Sequence, residues 1–379
     1  MTRNVITIDA RMLGYSGIGS YIAGLLFNFA RIDNEFSFDV IAPHRECLPE
    51  PWPATFRYVC GRSPIYSIGE QWEIARLSRR SLLLHCPHYN APLLYRGNLV
   101  VTIHDLIHIT DPNFKRTLAA WLYARPMFHL VARRAVCIIA DSEFTKQQIV
   151  EHLAIPPSKI VVIYLGVSNH FRPHDRGQAF LRVSSLLGLD QPYILFVGNL
   201  KPHKNAKTLL RAFAQICAHR DFDRQLLILG GDGKWKADLV NECVRLGIDA
   251  HTVFAPHVPH DDLPWVYGAA EILVLPSLIE GFGFPVLEAM ACGTPVVCSR
   301  AASLPEVAGD AAEYFEPSNV DDLAGAIERV LGSPARQDAL RQKGLERAKQ
   351  FSWEECARRH LEVYRKALES QDKKEFFKI

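Results

Sequence analysis

The sequence predicts an α/β protein built from two doubly wound, Rossmann-like domains facing a cleft. Three observations predict it. At 379 residues the chain is long enough for two domains. Short apolar runs alternate with helical patterns, the mark of parallel strands covered on both faces. That rhythm begins twice, near residues 5 and 193.

Taken in order, Val5 to Ile8 reads as the first strand and Tyr21 to Ala30 as a helix. Strands follow at Phe38 to Ala42, Leu99 to Ile103 and Val136 to Ala140. Ser142 caps a helix running through Leu153, and Ile160 to Ile163 closes the first set. Asn169 to Pro192, with Pro173, Gly177 and several charges, reads as a linker carrying a short helix. The second set is a strand at Tyr193 to Val197, a helix from Lys207 to His219, a strand at Leu226 to Leu229, a helix around Lys236 to Leu246 and a strand at Ile272 to Leu275. Trp353, Ala357, Leu361, Tyr364 and Leu368 recur at helical spacing, predicting an amphipathic last helix. The expected domains are 1–175, with the C-terminal helix of about 354–379 returning to it, and 176–353.

With 48% hydrophobic and 22% charged residues, the composition is that of an ordinary globular protein. Residues 1–175 hold 18 Lys plus Arg against 14 Asp plus Glu, and the remainder 25 against 27, so the positive charge lies on the N-terminal half. The nine cysteines form no CxxC pair and most sit in apolar runs, as reduced, buried residues of a cytoplasmic protein would. No apolar segment approaches 18 residues and no signal-peptide pattern opens the chain. The expected location is cytoplasmic, extending to peripheral contact with the inner face of the membrane. For that contact the candidate is a helix from Lys115 to Arg134, which mixes Trp121, Leu122, Tyr123, Met127, Phe128 and Leu130 with basic residues towards its two ends.

Ligands of open parallel sheets bind at the carboxyl ends of the strands. The strongest motif there is Glu280-Gly-Phe-Gly-Phe-Pro-Val-Leu-Glu288, after the strand at Ile272. Strand, glycine loop and helix leave backbone N–H groups for a phosphate, while the two carboxylates accept hydrogen bonds from sugar hydroxyls. The pattern suits a nucleotide sugar. Gly14, Gly17 and Gly19 follow the first strand, where they either admit an anion or merely turn the chain. His104-Asp105 ends the strand from Leu99, as site residues or as a cap with a bystander histidine. Gly198 to Asn205 carries Lys201 and Lys204, point charges suited to a diphosphate or ordinary surface lysines. Gly230-Gly-Asp-Gly233 either lines a nucleotide pocket or turns the chain. Asp221-Phe-Asp223 precedes a strand, on the wrong end of the sheet for chemistry, and reads as a solvated turn. No cluster has metal-ligand spacing.

Together these residues resemble family 4 of the retaining glycosyltransferases, with the GT-B architecture, over essentially the whole chain. The resemblance rests on Glu280 and Glu288 and continues through Gly293-Thr-Pro-Val-Val297, Leu304 to Ala312 and Phe351-Ser-Trp353. Val197 to Asn205 resembles a subgroup rich in mannosyltransferases of bacterial polysaccharide synthesis. The resemblance implies hexosyl transfer, most simply of mannose from GDP-mannose, without a metal or resident cofactor. The acceptor would be a saccharide or lipid-linked saccharide, and no nucleic acid is involved. By the same resemblance Lys204 meets the donor diphosphate, Glu280 the donor sugar, Glu288 the ribose, and Phe282 and Gly283 offer backbone N–H groups. His104 lies near the sugar's reactive face and Gly17 near the diphosphate. Asn199 stands where many members have an arginine, so Lys201 would complete the diphosphate clamp. Rival readings are rhamnosyl-, glucosyl- or galactosyl transfer on the same fold, a noncatalytic partner subunit, a nucleotide-sugar epimerase and a dinucleotide oxidoreductase. The last lacks an acid well placed about 20 residues after its glycines, following a second strand.

Overall fold

The computed structural model describes residues 4–48, 52–111, 118–218, 223–231, 233–255 and 258–369, the side chains of 16 and 118–121 excepted. It divides into two compact units, Met1–Gly166 with Phe351–Ile379, and Val167–Gln350.

Among the described residues the first unit holds seven strands: β1 (Asn4–Asp9), β2 (Phe36–Ala42), β3 (Phe56–Cys60), β4 (Leu83–Cys86), β5 (Asn98–Ile103), β6 (Cys137–Ala140) and β7 (Ile160–Val162). They lie in the order β3-β2-β1-β4-β5-β6-β7, with every pair parallel. The apolar runs are continuous because helices cover both faces; in β5, Leu99, Val100 and Val101 are all fully buried. The order reverses between β1 and β4, so the loops leaving these strands diverge and open a crevice at their carboxyl ends.

The last helix, Trp353–Glu369, belongs to this unit and packs on the first helix, Ser16–Phe29. Gly24 makes room for it: a Cβ there would come within 2.5 Å of the Trp353 ring. Under the joint runs a buried polar chain whose direction is fixed by its far end. The carbonyl of Cys356 can only accept, so His360 Nδ1 donates to it (2.7 Å). In the neutral ring Nε2 then accepts from the Tyr21 hydroxyl (2.6 Å). Tyr21 in turn accepts from Thr102 (2.7 Å), which accepts from His85 Nε2 (2.9 Å). His85 Nδ1 is left to accept from Tyr364 (2.6 Å). Four of these five hydrogen bonds link the C-terminal helix, the first helix, β4 and β5, and both imidazoles are neutral. Burial accordingly pushes the His85 pKa well down and that of His360 to about 4.

Among the described residues the second unit holds six strands: β8 (Tyr193–Val197), β9 (Gln225–Leu229), β10 (Thr252–Ala255), β11 (Ile272–Leu275), β12 (Val296–Ser299) and β13 (Ala312–Phe315). All are parallel, in the order β10-β9-β8-β11-β12-β13, and the order reverses between β8 and β11. Helix Ala206–Cys217 buries Leu209, Leu210, Phe213 and Ile216 against this sheet.

The expected boundaries shift. The division falls after Gly166 and Gln350, not after 175 and 353. Residues 167–175 pack on the second unit: Phe171 is buried edge-on to Tyr267, and His170 stacks on His260. The short helix of the linker is Arg176–Leu187, capped by Asp175. Gly17 and Gly19 lie inside the first turns of helix Ser16–Phe29 and not in a loop before it. Residues 115–117, 219, 221, 222, 232 and 370–379, named above, lie outside the described residues.

Candidate functional site

The switch point of the second sheet gathers the motif residues. β8 leads into Gly198 and a 3-10 turn, Pro202–Lys204. Asn205 follows with a left-handed φ of 56°, and its side-chain amide donates to the carbonyls of Pro276 (3.1 Å) and Pro317 (2.8 Å). The loop after β8 is thereby fastened to the loop after β11, and the Leu278 N–H completes the seam by donating to the His203 carbonyl (2.8 Å).

Within this frame Lys204 and Glu280 meet. The ammonium donates to Glu280 Oε1 at 2.5 Å, and the two side chains are 13% and 10% exposed. Ser277 donates to the same oxygen (2.9 Å). Oε2 of Glu280 accepts no hydrogen bond among the described residues, so one oxygen is anchored and the other is open to a ligand. The loop's own carbonyls are held from below: Ser303 Oγ lies 3.0 Å from the carbonyls of both Glu280 and Phe282.

Gly283 then starts helix Phe284–Ala291 at φ 100°, a region an L side chain rarely adopts, and a Cβ there would also strike Leu304 at 2.7 Å. Pro285 occupies the helix's first turn, where its missing N–H costs nothing. Phe282 is buried and packs edge-on against Phe284. Glu288 lies within the helix, and its Oε2 accepts from the Tyr267 hydroxyl (2.6 Å). Here too one carboxylate oxygen is anchored and the other accepts no bond among the described residues. Burial raises the Glu288 pKa to about 7, the Tyr267 bond opposing it. Lys201 and Asn199 are exposed on the β8 loop, where the Asn199 carboxamide oxygen accepts from the Lys201 N–H (3.3 Å). Tyr267, Ser277, Ser303 and Asn205 were not legible as site residues. Ser277 stands three residues before Glu280, the one local signal among them.

In the first unit His104 follows β5. Its Nδ1 bonds Asp141 Oδ2 (2.5 Å) and its Nε2 meets the Pro87 carbonyl (3.1 Å). A carbonyl can only accept, so Nε2 carries hydrogen, and no ring lone pair is open for use as a base. Burial works against charge on the ring, but the attraction of Asp141 and the Pro87 bond outweigh it and raise the pKa. Asp105 caps the next turn, accepting from the Ile107 N–H (2.9 Å). Among the described residues no group of three or more His, Cys, Asp or Glu has a metal-binding arrangement.

The family model described as "Glycosyltransferase Family 4" matches residues 15–170, and that described as "Glycosyl transferases group 1" matches residues 178–347. Over 288 residues the chain is 33% identical to O-antigen chain mannosyltransferase B of Escherichia coli, covering 76% of this chain and 74% of that protein. It is 31% identical over 285 residues to MMP alpha-(1->4)-mannosyltransferase of Mycolicibacterium hassiacum, covering 71% and 66%. It is 34% identical over 241 residues to D-inositol 3-phosphate glycosyltransferase of Rhodococcus opacus, covering 61% of this chain and about half, 53%, of that protein. In fold it is similar to sucrose-phosphate synthase from Thermosynechococcus elongatus, with TM-score 0.79, 21% identity and 96% and 98% of the chains covered. Anabaena HepE in complex with UDP-glucose matches with TM-score 0.77, 17% identity and 95% and 99% coverage.

Proposed function

The chain belongs to the family 4 glycosyltransferases of GT-B fold, and from that premise we propose that it moves mannose from GDP-mannose to a hydroxyl of a saccharide or lipid-linked saccharide in polysaccharide biosynthesis, with retained configuration. The observation that carries the reading is the pair of half-anchored carboxylates at the β8/β11 switch point. Glu280 and Glu288 each have one oxygen fixed by protein and one open, as hydrogen bonding to sugar and ribose hydroxyls requires. Two relatives named as mannosyltransferases support mannose as the sugar.

In this reading the diphosphate lies at Lys204 and the N-terminus of helix Phe284–Ala291, with Lys201 as a second cation. The acceptor oxygen attacks C1 on the face the diphosphate leaves. The C1–O bond to the diphosphate breaks, and the leaving phosphate oxygen takes the acceptor's proton. The barrier is the charge growing on that leaving group, which Lys204 and the helix N-terminus stabilise without a metal. A double displacement would need Glu280 as nucleophile, and a carboxylate bonded to a lysine is a poor one. With both ring nitrogens engaged by Asp141 and the Pro87 carbonyl, His104 acts by holding its position beside the sugar's reactive face and not as a base. Gly17, Phe282 and Gly283 take the supporting positions the family resemblance implies, and Asn199 borders the diphosphate where many members have an arginine.

Calorimetry with GDP, UDP and dTDP, followed by product analysis with GDP-mannose, tests the donor. Binding of UDP without GDP overturns the mannose reading and favours a UDP-hexose. Absence of nucleotide release with every donor favours a noncatalytic partner subunit. Activity should persist in EDTA; loss that magnesium or manganese restores would overturn metal independence.

A further inference from the structure

Asp141 ends β6 as His104 ends β5. The two strands pair in register, Ile103 with Ala140, so these residues leave the sheet side by side at its carboxyl edge. His104 keeps 15% of its side chain exposed there, whereas Asp141 is 2% exposed. Residue 104 is tied to the Asp141 segment twice. Ser142 caps helix Glu143–Leu153 by accepting from the Thr145 N–H (3.1 Å), and the Thr145 hydroxyl donates to the His104 carbonyl (3.1 Å). The ring is tied through Asp141 Oδ2. The other oxygen, Oδ1, is buried without a hydrogen-bond partner, which leaves His104 as the one partner of that carboxylate among the described residues.

The imidazole therefore stands between two groups that only accept, the Asp141 carboxylate on Nδ1 and the Pro87 carbonyl on Nε2. A neutral ring carries one hydrogen and can satisfy one of them. Both bonds exist together only when one further proton is present, on Nδ1 or on Oδ2. Once that proton leaves, either Nδ1 turns a lone pair to Asp141 or Nε2 turns one to Pro87, and the ring is pushed from its place.

Burial disfavours charge on the ring, but Asp141, the Pro87 bond and Asp105 outweigh it and hold the His104 pKa above the ordinary 6.5. Burial also raises the Asp141 pKa, against the attraction of His104, so the proton belongs to the pair. The other groups around the ring hold their protonation state above pH 6.5. Tyr21 lies edge-on to it with centroids 4.9 Å apart, and burial pushes the Tyr21 and Cys356 pKa values well up. Burial pushes His85 and His88 well down and His360 to about 4.

We infer that Asp141 is a positioning residue of the transfer: through one shared proton it holds the His104 ring at the strand ends, and the enzyme loses that geometry when the proton leaves. The inference rests on the transferase reading, and its test separates the two. Nucleotide release from GDP-mannose, with UDP-glucose in parallel, would be followed from pH 6 to 9.5 beside an NMR titration of the His104 ring. The unaltered chain should show an alkaline limb in kcat/KM, falling about tenfold per pH unit from the pKa that the ring itself reports. Asp141→Asn should abolish that limb, because its amide donates to Nδ1 while Nε2 still donates to Pro87, so a neutral ring keeps both bonds. Its His104 should titrate below 6.5. Asp141→Ala, which leaves Nδ1 without a partner, should lower kcat at pH 7 about tenfold or more while the donor KM changes little. The asparagine variant should recover most of that loss. Circular dichroism checks folding; should the alanine variant not fold, the limb of Asp141→Asn decides. An active enzyme without an alkaline limb, a limb or ring pKa unmoved in Asp141→Asn, or full activity in a folded Asp141→Ala overturns the inference and leaves the transferase reading standing. No release from either donor removes that reading, and the positioning role falls with it.

Discussion

Glu280 and Glu288 lie eight positions apart on one loop and helix, yet they meet opposite surroundings. Glu280 is neutralised by Lys204, whereas Glu288 has only a phenol, and burial lifts its pKa to about 7. A folded-state pKa above the ordinary value means that ionisation costs stability as pH rises through 7. Glu288→Gln should therefore raise Tm at pH 8 and change it little at pH 5, read by calorimetry. If ribose hydroxyls bond the ionised form, nucleotide affinity should fall as pH drops below 7, with protons released on binding. Equal affinity at pH 5.5 and 8 would count against the ribose role, as would a folded Glu288→Ala that keeps its affinity. For the buried pair, Lys204→Ala should both lower Tm and weaken nucleotide binding, because Glu280 loses its counter-charge. Adding Glu280→Gln should restore Tm but not binding; recovery of both would assign Lys204 to the fold alone. The spacing of the two acids was legible because it is local. Tyr267 and Ser303 were not, because each reaches its partner from a separate element.

The last helix shows the same division at the level of elements. Its apolar face was legible from Trp353, Ala357, Leu361 and Tyr364, which are all partly or fully buried. Its polar clasp was not, because His360 and Tyr364 find their partners on Tyr21 and His85, more than 270 positions away. Tyr21→Phe would leave His360 Nε2 and the Thr102 hydroxyl without this partner and should cost about 1–3 kcal/mol in denaturant unfolding. The clasp also sets a pH response. His360 binds its proton more weakly folded, near pH 4, than unfolded, so its contribution is complete above pH 6.5 and is lost as pH falls towards 4. At pH 5 the loss from this group should be on the order of 2 kcal/mol. His360→Gln, though less stable at pH 7.5, should lose less between pH 7.5 and 5; an identical loss would assign the acid sensitivity elsewhere. Several short strands, β4, β10 and β13 among them, escaped the pattern reading because a polar residue, His85, Thr252 or Glu313, breaks their four-residue apolar run, whereas the equally short β11 is wholly apolar.

At the scale of the molecule, the proposed membrane contact takes a clearer form. In helix Leu118–Arg134, Leu122 and Leu130 are 55% and 50% exposed and share the solvent face with Arg125 and Arg133, so basic and apolar groups alternate there instead of separating to the ends. Ile68 and Trp72 on helix Ile68–Leu77 are exposed as well, at 85% and 69%. Among the described residues no helix is long and apolar enough to cross a membrane. Flotation with anionic liposomes should therefore show binding at low salt that high salt releases, and that Trp72→Ala weakens. No binding at low salt would remove the contact. The sequence by itself determined the two α/β units and the strand-end positions of the motif residues, because these follow from short-range periodicity and spacing, and its motifs carried the resemblance to the glycosyltransferase family. Only the tertiary structure decided which oxygen of each carboxylate is open and that both His104 nitrogens are committed. These depend on side chains brought together from distant segments, where a hydrogen bond's direction is fixed by the last acceptor in the chain.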